Sequence, residues 1–370
     1  MVKYWWQVGD KQFKNKPSAL LYSHQIKKHC EFETDHQVFV EALSDKSIND
    51  DHDYDLDFIL HLRNSYKKIR LFYTGGFDSH TILCKFLENN VRLDEVTIVW
   101  ASVHKNDFDA KVNKEYKLAA QEFLKKNQNN IGNVTHVYNA LDVHQKLFSD
   151  KQWLFKIDGG YPHVRLQTSN FSWCDDFNSQ ADCNIVGKEK PHLIKIQDKW
   201  YATTTDTLQL EWFGLKNKCD FWSDPLNIKS FIRDGRLLRK YLKKNFQLKQ
   251  NQYFSFNFQK QDYVDASLAI GRTMVPHDIT GIDKMGKATT WANEKDAEFI
   301  RELIDMREFE TLINLFRSYK YYEELLPEMF DDSGNLCRHL TSQFLYYIDI
   351  DTLEYYQAKE LDISCVFKKT

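Results

Sequence analysis

Glycine and proline are scarce in this sequence, whose 370 residues contain 13 glycines and 6 prolines. Adjacent glycines therefore mark places where the backbone must turn sharply or approach another group more closely than a side chain allows. There are two such pairs, Gly75-Gly76 and Gly159-Gly160. The first pair lies between a strand-like run and a helix-like run. The second precedes Tyr161-Pro162 and is typical of a simple turn.

Long apolar runs, a strong net charge and paired cysteines are missing as well. No segment has the roughly 18 consecutive apolar residues of a membrane helix, and the amino terminus lacks the apolar run of a signal peptide. A formal charge of −3 provides no global field for gripping nucleic acid or a membrane. The seven cysteines form no CxxC pair, which argues against a disulfide framework or a zinc ribbon. We therefore expect a soluble, cytoplasmic protein with reduced thiols and no membrane partner.

The length of the chain predicts more than one domain, because a single domain typically has about 100–200 residues. Its hydrophobic content of 42% and charged content of 28% are typical of globular proteins. We predict a small N-terminal α+β extension over residues 1–66 and an α/β domain over residues 67–225. Residues 226–370 are predicted to form a mainly helical substrate or accessory domain.

The predicted extension begins with a hairpin over residues 3–14, which turns at Gly9-Asp10. The segment from Asn49 to Asp57 contains five aspartates and favours a solvated surface link. A helix with Phe58 and Ile59 on its apolar side is expected after this segment.

Strands and helices alternate in the middle region of the chain. The predicted strands cover residues 68–73, 96–101, 134–138 and 182–186. A helix from about Ser79 to Asn89-Asn90 follows the first of them, and a hairpin is expected over residues 193–202. This alternation predicts a doubly wound, mostly parallel sheet that binds ligands at the carboxyl ends of its strands. Beyond Pro225 the apolar pattern becomes helical.

The segment Thr74-Gly75-Gly76-Phe77-Asp78-Ser79 lies between the first predicted strand and its helix. The two glycines let backbone amides approach an anion, and the start of the helix adds its positive dipole end. Asp78 beside an anion requires a cation between them, and Mg²⁺ held by one carboxylate and several phosphate oxygens meets that need. The segment therefore predicts a site for a magnesium nucleotide.

This segment resembles the SGGxDS loop of the PP-loop ATP pyrophosphatases, also called N-type or alpha-hydrolase ATPases, with Thr74 in place of the usual first serine. The topological resemblance covers about residues 66–225, a sheet of the HUP/PP-loop type, but only the loop is specific. The family includes asparagine synthetase, tRNA-thiolating enzymes and sulfonucleotide reductases. The resemblance implies that the loop grips the β,γ-pyrophosphate of ATP while a substrate oxygen attacks the α-phosphate.

The resemblance also implies roles for individual residues. Asp78 would bind Mg²⁺, and Asp78, Ser79 and Lys188 would be the catalytic residues. The residues implied to bind ATP are Thr74, Gly75, Gly76, Phe77, Asp78, Ser79, Trp100, Ala101, Ser102 and Gly187. Within this set, Trp100 to Ser102 match the position that faces adenine, and Gly187-Lys188-Glu189 follow the fourth predicted strand. A lysine there, Lys188 or Lys190, would compensate developing negative charge.

Three functions follow from these observations. The first is Mg-ATP-dependent adenylation of a substrate oxygen with release of pyrophosphate, leading to ligation or amide formation on an unidentified small-molecule or macromolecular acceptor. The second is a sulfonucleotide reductase-like or thiolating enzyme, which would use Cys365, or Cys174 and Cys183. The third is a nucleotide-binding module without catalysis.

Several other signals are weaker. Gly281 to Ala288 nearly spells a second phosphate loop, from which Lys284 or Lys287 would reach the ATP phosphates, but Ala288 replaces the metal-binding hydroxyl. His29, Cys30 and His36 lack further ligands at metal-binding spacing. A basic run after residue 232 has helical spacing and would allow contact with nucleic acid, although a solvated helix face is favoured. Its members are Arg233, Arg236, Arg239, Lys240, Lys243 and Lys244.

Overall fold

The fold was analysed in a computed structural model. The structure describes residues 4–13, 25–45, 47–73, 75–102, 120–140, 181–187, 191–205, 217–248, 251–254, 260–273 and 344–363, with isolated positions at 19, 22, 23 and 366. Among the helices in these ranges, none combines the length and the apolar character needed to cross a membrane.

The described residues form helices and strands, and the strands belong to three sheets. The α-helices with described bounds are α1 (His36–Ala42), α2 (Tyr54–Ser65), α3 (Phe77–Glu88), α4 (Gln121–Lys126), α5 (Ile228–Asn245) and α6 (Lys260–Ala269). Short 3-10 turns cover Gln128–Asn130, Pro225–Asn227 and Ala358–Glu360.

The central sheet has five strands, all parallel, which confirms the α/β fold. Its strands are β4 (Ile69–Phe72), β5 (Leu93–Ser102), β6 (Ile131–Ala140), β7 (Cys183–Val186) and β10 (Lys218–Asp220). Every residue of β4 is buried, including Arg70, which donates to Glu95 on β5 at 3.0 Å. A strand buried on both faces carries no alternating pattern, which explains why its apolar residues are interrupted only by Arg70.

The spatial order of this sheet is β10-β7-β4-β5-β6. Numbered along the chain, the five strands therefore lie in the order 3-2-1-4-5, as in open doubly wound sheets. The order reverses between β4 and β7, since the chain continues from β4 toward one edge and later returns to the other side of β4. Ligands of such sheets bind at the carboxyl ends of the strands at this reversal.

Helix α3 follows β4 and begins at Phe77, two residues before the predicted start. Ile82, Leu83 and Phe86 are buried against the sheet. The helix ends at Glu88, and Asn90 then adopts a positive φ of 54°. Asparagine tolerates this left-handed conformation, so the predicted end at Asn89-Asn90 is confirmed.

The predicted N-terminal hairpin is confirmed. Strands β1 (Tyr4–Val8) and β2 (Lys11–Phe13) pair antiparallel, and β3 (Cys30–Thr34) pairs with the other edge of β1. Trp6 and Phe32 from this small sheet are buried in contact, with ring centroids 5.1 Å apart.

The prediction of a solvated link from Asn49 to Asp57 is correct for its first residues, which form a largely exposed turn, and wrong from Tyr54 onward, where helix α2 begins. Asp53 caps α2 by accepting a hydrogen bond from the backbone of Leu56, and Asp55 is buried in the first turn. Two carboxylates of this segment face the basic side of α5, so this part of the helix face is not solvated as predicted. The pairs are Arg233 with Asp55, and Arg236 and Lys240 with Asp50. Lys243 and Lys244 remain exposed.

A second five-stranded sheet was not predicted, apart from the hairpin that forms its centre. Strands β8 (His192–Ile196) and β9 (Lys199–Thr205) form that hairpin. The remaining strands, β11 (Gln252–Phe254), β12 (Phe344–Asp349) and β13 (Tyr355–Gln357), follow residue 225. All neighbours are antiparallel in the order β11-β8-β9-β12-β13.

The prediction of a mainly helical region after residue 225 therefore missed three strands. In β12, five of the six residues are buried, so no alternating polar pattern marked it, and β11 and β13 have three residues each. Helix α5 packs on this sheet, where Phe231, Ile232 and Leu238 share one hydrophobic cluster with Leu193 and Tyr346. Residues 274–343 of the region predicted to be mainly helical lie outside the described residues.

Candidate functional site

The chain turns sharply between β4 and α3, at the point where the strand order reverses. The backbone of Tyr73 still donates to Thr97 on β5 at 2.9 Å, so the sheet pairing continues to the edge of the turn. Gly75 has a φ of +89°, which a residue with a side chain rarely adopts. Gly76 is the N-cap of α3 with extended backbone angles, and its carbonyl accepts from His80 at 2.9 Å. Thr74 lies outside the described residues.

Gly187 follows the last residue of β7 and lies directly against the start of α3. A Cβ added to Gly187 would lie 3.0 Å from the backbone nitrogen of Ser79 and 2.9 Å from Cδ1 of Ile82. Only a glycine at position 187 therefore fits against the first turn of α3 without a shift of its neighbours. Of the predicted site residues, the structure places Gly187 against Ser79, in the turn of α3 that directly follows Gly75 and Gly76. Their roles stay predictions.

The side chains of the first turn of α3 differ in exposure. Phe77 and Ser79 are buried, whereas the side chain of Asp78 is 22% exposed. The positive end of the α3 dipole lies at this turn, where it favours negative charge. Asp78 is thus the residue of the turn whose carboxylate remains accessible at the carboxyl edge of the sheet.

The sequence did not predict the partner of Asp78. Arg272, three residues beyond the end of α6, donates from Nη1 to Oδ1 of Asp78 at 3.1 Å. Its Nη2 donates to Oδ2 of Asp234 on α5 at 2.8 Å. The guanidinium lies over the ring of Trp222, 3.1 Å from the centroid, and the residue is 1% exposed. A separation of 194 residues gives no local signal for the pair, so no sequence pattern pointed to Arg272.

The ion pairs continue from Asp234 toward α2. Arg233 contacts Oδ1 of Asp234 at 3.0 Å and Oδ2 of Asp55 at 2.9 Å. Burial lowers the pKa of Arg233, but the two carboxylates outweigh this effect and raise it above its usual value, so the guanidinium stays charged. We call the series Asp78, Arg272, Asp234, Arg233 and Asp55 the ion-pair chain.

A buried polar group lies behind the turn, on the side away from Asp78. Nδ1 of His80 lies 2.9 Å from the hydroxyl of Tyr73, and Nε2 lies 3.2 Å from Sγ of Cys84. Burial lowers the pKa of His80 to about 4 and raises the pKa of Cys84 to about 11. At neutral pH the imidazole and the thiol are therefore uncharged, and the group supports the first two turns of α3.

The other residues implied by the resemblance are described only in part. Trp100, Ala101 and Ser102 form the end of β5 and pair with residues 138–140 of β6, but their side chains are not described. Lys188 and Lys190 lie outside the described residues, as do Lys284 and Lys287. Their predicted roles remain predictions.

Metal binding has one candidate ligand at this edge. Within the described ranges, no cluster of three or more His, Cys, Asp or Glu side chains is arranged to hold a metal ion. The earlier candidate His36 instead lies 2.7 Å from Glu33 and 2.5 Å from the hydroxyl of Tyr355. Asp78 alone fits a Mg²⁺ that takes its remaining ligands from phosphate and water, the usual manner for this cation.

No protein-family model matches the sequence, and no curated protein matches it either.

Proposed function

We propose that the chain binds Mg-ATP at the turn between β4 and α3 and adenylates an oxygen of an acceptor, releasing pyrophosphate. This is the chemistry of the HUP/PP-loop type of α/β domain that the loop sequence resembles. The observation that carries the proposal is the contact of Gly187 with the first turn of α3, directly after Gly75-Gly76, at the reversal of the strand order. A pyrophosphate can approach backbone amides closely only where no side chain lies between them, and glycines provide this after both strands.

The residues of the site divide the task between them. The backbone at Gly75 and Gly76 and the dipole of α3 would hold the β,γ-phosphates, with Ser79 near the same turn. Asp78 would hold Mg²⁺, which would neutralise charge on the departing pyrophosphate. The end of β5 at Trp100 to Ser102 would face adenine, and Lys188 would lie near the reacting phosphate. These assignments require positioning and charge compensation rather than an acid or base.

The thiolating or reductase alternative has less support among the described cysteines. Cys183 is 1% exposed on β7 and belongs to the hydrophobic cluster of the parallel sheet, so it lacks the exposure of a sulfur carrier. Cys174 and Cys365 lie outside the described residues. Serine replacement at Cys174, Cys183 and Cys365 tests this alternative directly: turnover that survives all three replacements excludes it.

Binding and catalysis are measured separately. Titration of the whole chain with ATP, with and without Mg²⁺, tests the nucleotide site by calorimetry. Exchange of labelled pyrophosphate into ATP, across a pool of metabolites and nucleic acids, tests adenylation. Asp78→Ala is expected to abolish the Mg²⁺-dependent part of both signals. Asp57→Ala is the matched control, because Asp57 is an exposed aspartate of α2 and should leave both unchanged.

The outcomes separate the three functions. Exchange that depends on Asp78 supports the ligase chemistry, and the pool component that supports exchange identifies the acceptor. ATP binding without exchange on any component favours the non-catalytic module. Binding and exchange that are both insensitive to Asp78→Ala would mean that the nucleotide is held elsewhere.

A further inference from the structure

Arg272 packs against helix α3 and is fixed there by contacts of its side chain and of the residue that follows it. The backbone nitrogen of Thr273 donates to Oγ1 of Thr81 at 2.8 Å, while that hydroxyl donates to the carbonyl of Phe77 at 2.6 Å. The guanidinium is fixed independently by Asp234 and by the ring of Trp222. Contacts on both sides of the side chain leave one orientation, in which Nη1 meets Asp78.

The two members of the Arg272–Asp78 ion pair differ in their exposure to solvent. Arg272 is 1% exposed while the side chain of Asp78 is 22% exposed, so the arginine approaches the carboxylate from the protein interior. Burying a guanidinium is costly, and Asp234 and Trp222 offset part of that cost, whereas Nε of Arg272 has no hydrogen-bond partner among the described residues. The bond to Asp78 both adds to this compensation and orients a carboxylate on the accessible edge of the sheet.

We infer that Arg272 is a positioning residue for Asp78. It holds the carboxylate in the orientation in which an accessible oxygen ligates the divalent cation of a bound nucleotide, and Asp234 keeps Arg272 in place. A partner that orients a metal ligand typically contributes about 10–100-fold to metal affinity or activity. This inference rests on the proposed function, since it assigns a role within the same nucleotide site.

The experiment compares the Mg²⁺ dependence of ATP binding in variants of the whole chain. Arg272→Gln is expected to weaken Mg-ATP binding about 10–100-fold while metal-free ATP binds as before. Arg272→Lys should restore part of the loss, because an ammonium keeps the charge but lacks the planar pair of donors. Arg236→Gln is the matched control: this α5 arginine contacts Asp50 and lies outside the ion-pair chain, so its variant should bind Mg-ATP normally.

A second variant keeps the test valid if Arg272→Gln does not fold. Removing Arg272 alone leaves Asp234 with one fewer partner, so Arg272→Gln is accompanied by the double variant Arg272→Met/Asp234→Asn, which removes both buried charges together. Near-ultraviolet circular dichroism confirms the fold of whichever variant is used. The same loss of Mg²⁺ dependence is expected from the double variant.

The results distinguish this inference from the proposed function. If wild type and Asp78→Ala bind Mg-ATP alike, the proposed site is wrong. If they differ but folded Arg272 variants keep the Mg²⁺ dependence of wild type, the inference on Arg272 is overturned and the site stands. Tighter Mg-ATP binding after removal of Arg272 also overturns it, since the guanidinium would then compete with the cation for the carboxylate.

Discussion

Gly187 and Ser79 are 108 positions apart in the sequence, yet a Cβ on the glycine would lie 3.0 Å from the backbone nitrogen of the serine. Their proximity follows from the pairing of β4 with β7, which places the ends of both strands at one edge. The contact leaves no room for a side chain between the end of β7 and the first turn of α3. The space between the end of β7 and helix α3 is thus limited by the backbone of Ser79 and the side chain of Ile82.

We predict that Gly187→Ala destabilises the fold by about 1–3 kcal/mol, the usual range for overpacking a close contact. The added methyl group must displace either the backbone of Ser79 or the side chain of Ile82. Chemical unfolding measures the change. Gly235→Ala is the control, because a Cβ there would meet its neighbours at 3.4–3.5 Å within helix α5, and alanine favours a helix. Equal stability of Gly187→Ala and wild type would contradict the geometry at the strand ends.

We predict that His80 lowers the stability of the fold as the solution becomes acidic. The pKa of its imidazole falls from 6.5 to about 4 on folding because of burial, so the unfolded chain binds the proton more readily between these values. Stability is therefore retained above pH 6.5 and declines as the pH falls toward 4, by at most about 1.4 kcal/mol per pH unit from this group.

The measurement for His80 is the free energy of unfolding against pH for wild type and His80→Gln. Burial raises the pKa of Asp224 to about 6, which acts in the opposite direction over part of the range, so only the difference between the two proteins reports on His80. That difference should shrink steadily below pH 6.5. His61→Gln is the control, because His61 is exposed. Parallel pH profiles for wild type and His80→Gln would contradict the prediction.

Breaking the ion-pair chain at Asp55 is expected to be costly. Asp55→Asn should destabilise the fold by about 3–5 kcal/mol, because Arg233 then loses one of two carboxylates that contact it in the interior. The double variant Asp55→Asn/Arg233→Gln should cost less than the sum of its single changes, which a double-mutant cycle measures. Asp57→Asn, in the same helix turn but 60% exposed, should change stability by less than about 0.5 kcal/mol.

A chain that ends at residue 225 should not fold cooperatively, although it retains every strand of the parallel sheet. The hairpin β8–β9 would lose both of its outer neighbours, β11 and β12, and the cover of helix α5. Circular dichroism and thermal unfolding of this fragment beside the whole chain test the prediction. A sharp unfolding transition in the fragment would instead support the independent domain predicted for residues 67–225.

The parallel sheet and the turn between β4 and α3 could be predicted because their signals are local. A buried apolar run, adjacent glycines and an amphipathic helix follow one another within residues 68–90. Such short-range patterns depend on backbone conformation and burial, which act over a few residues. The structure accordingly reproduces β4, the turn and α3 with small shifts in their bounds.

The partners that complete this edge could not be predicted, since they come from remote parts of the chain. Arg272 is an isolated arginine after a helix, and nothing around it in the sequence indicates a contact with Asp78. When each run is considered alone, the aspartates of residues 49–57 and the basic side chains of α5 each predict a solvated surface. The structure instead pairs members of the two runs. Complementary charge runs in one chain indicate a pairing only when they are considered together.

The second sheet also dictates an order of events while the chain is being synthesised. The hairpin β8–β9 leaves the ribosome early, but β12, which covers the edge of β9, is made some 140 residues later. At about 5–20 residues per second that edge stays unpaired for several seconds or longer. An unpaired strand edge is a template for pairing with other chains, so the edge of β9 favours aggregation until β12 has been made.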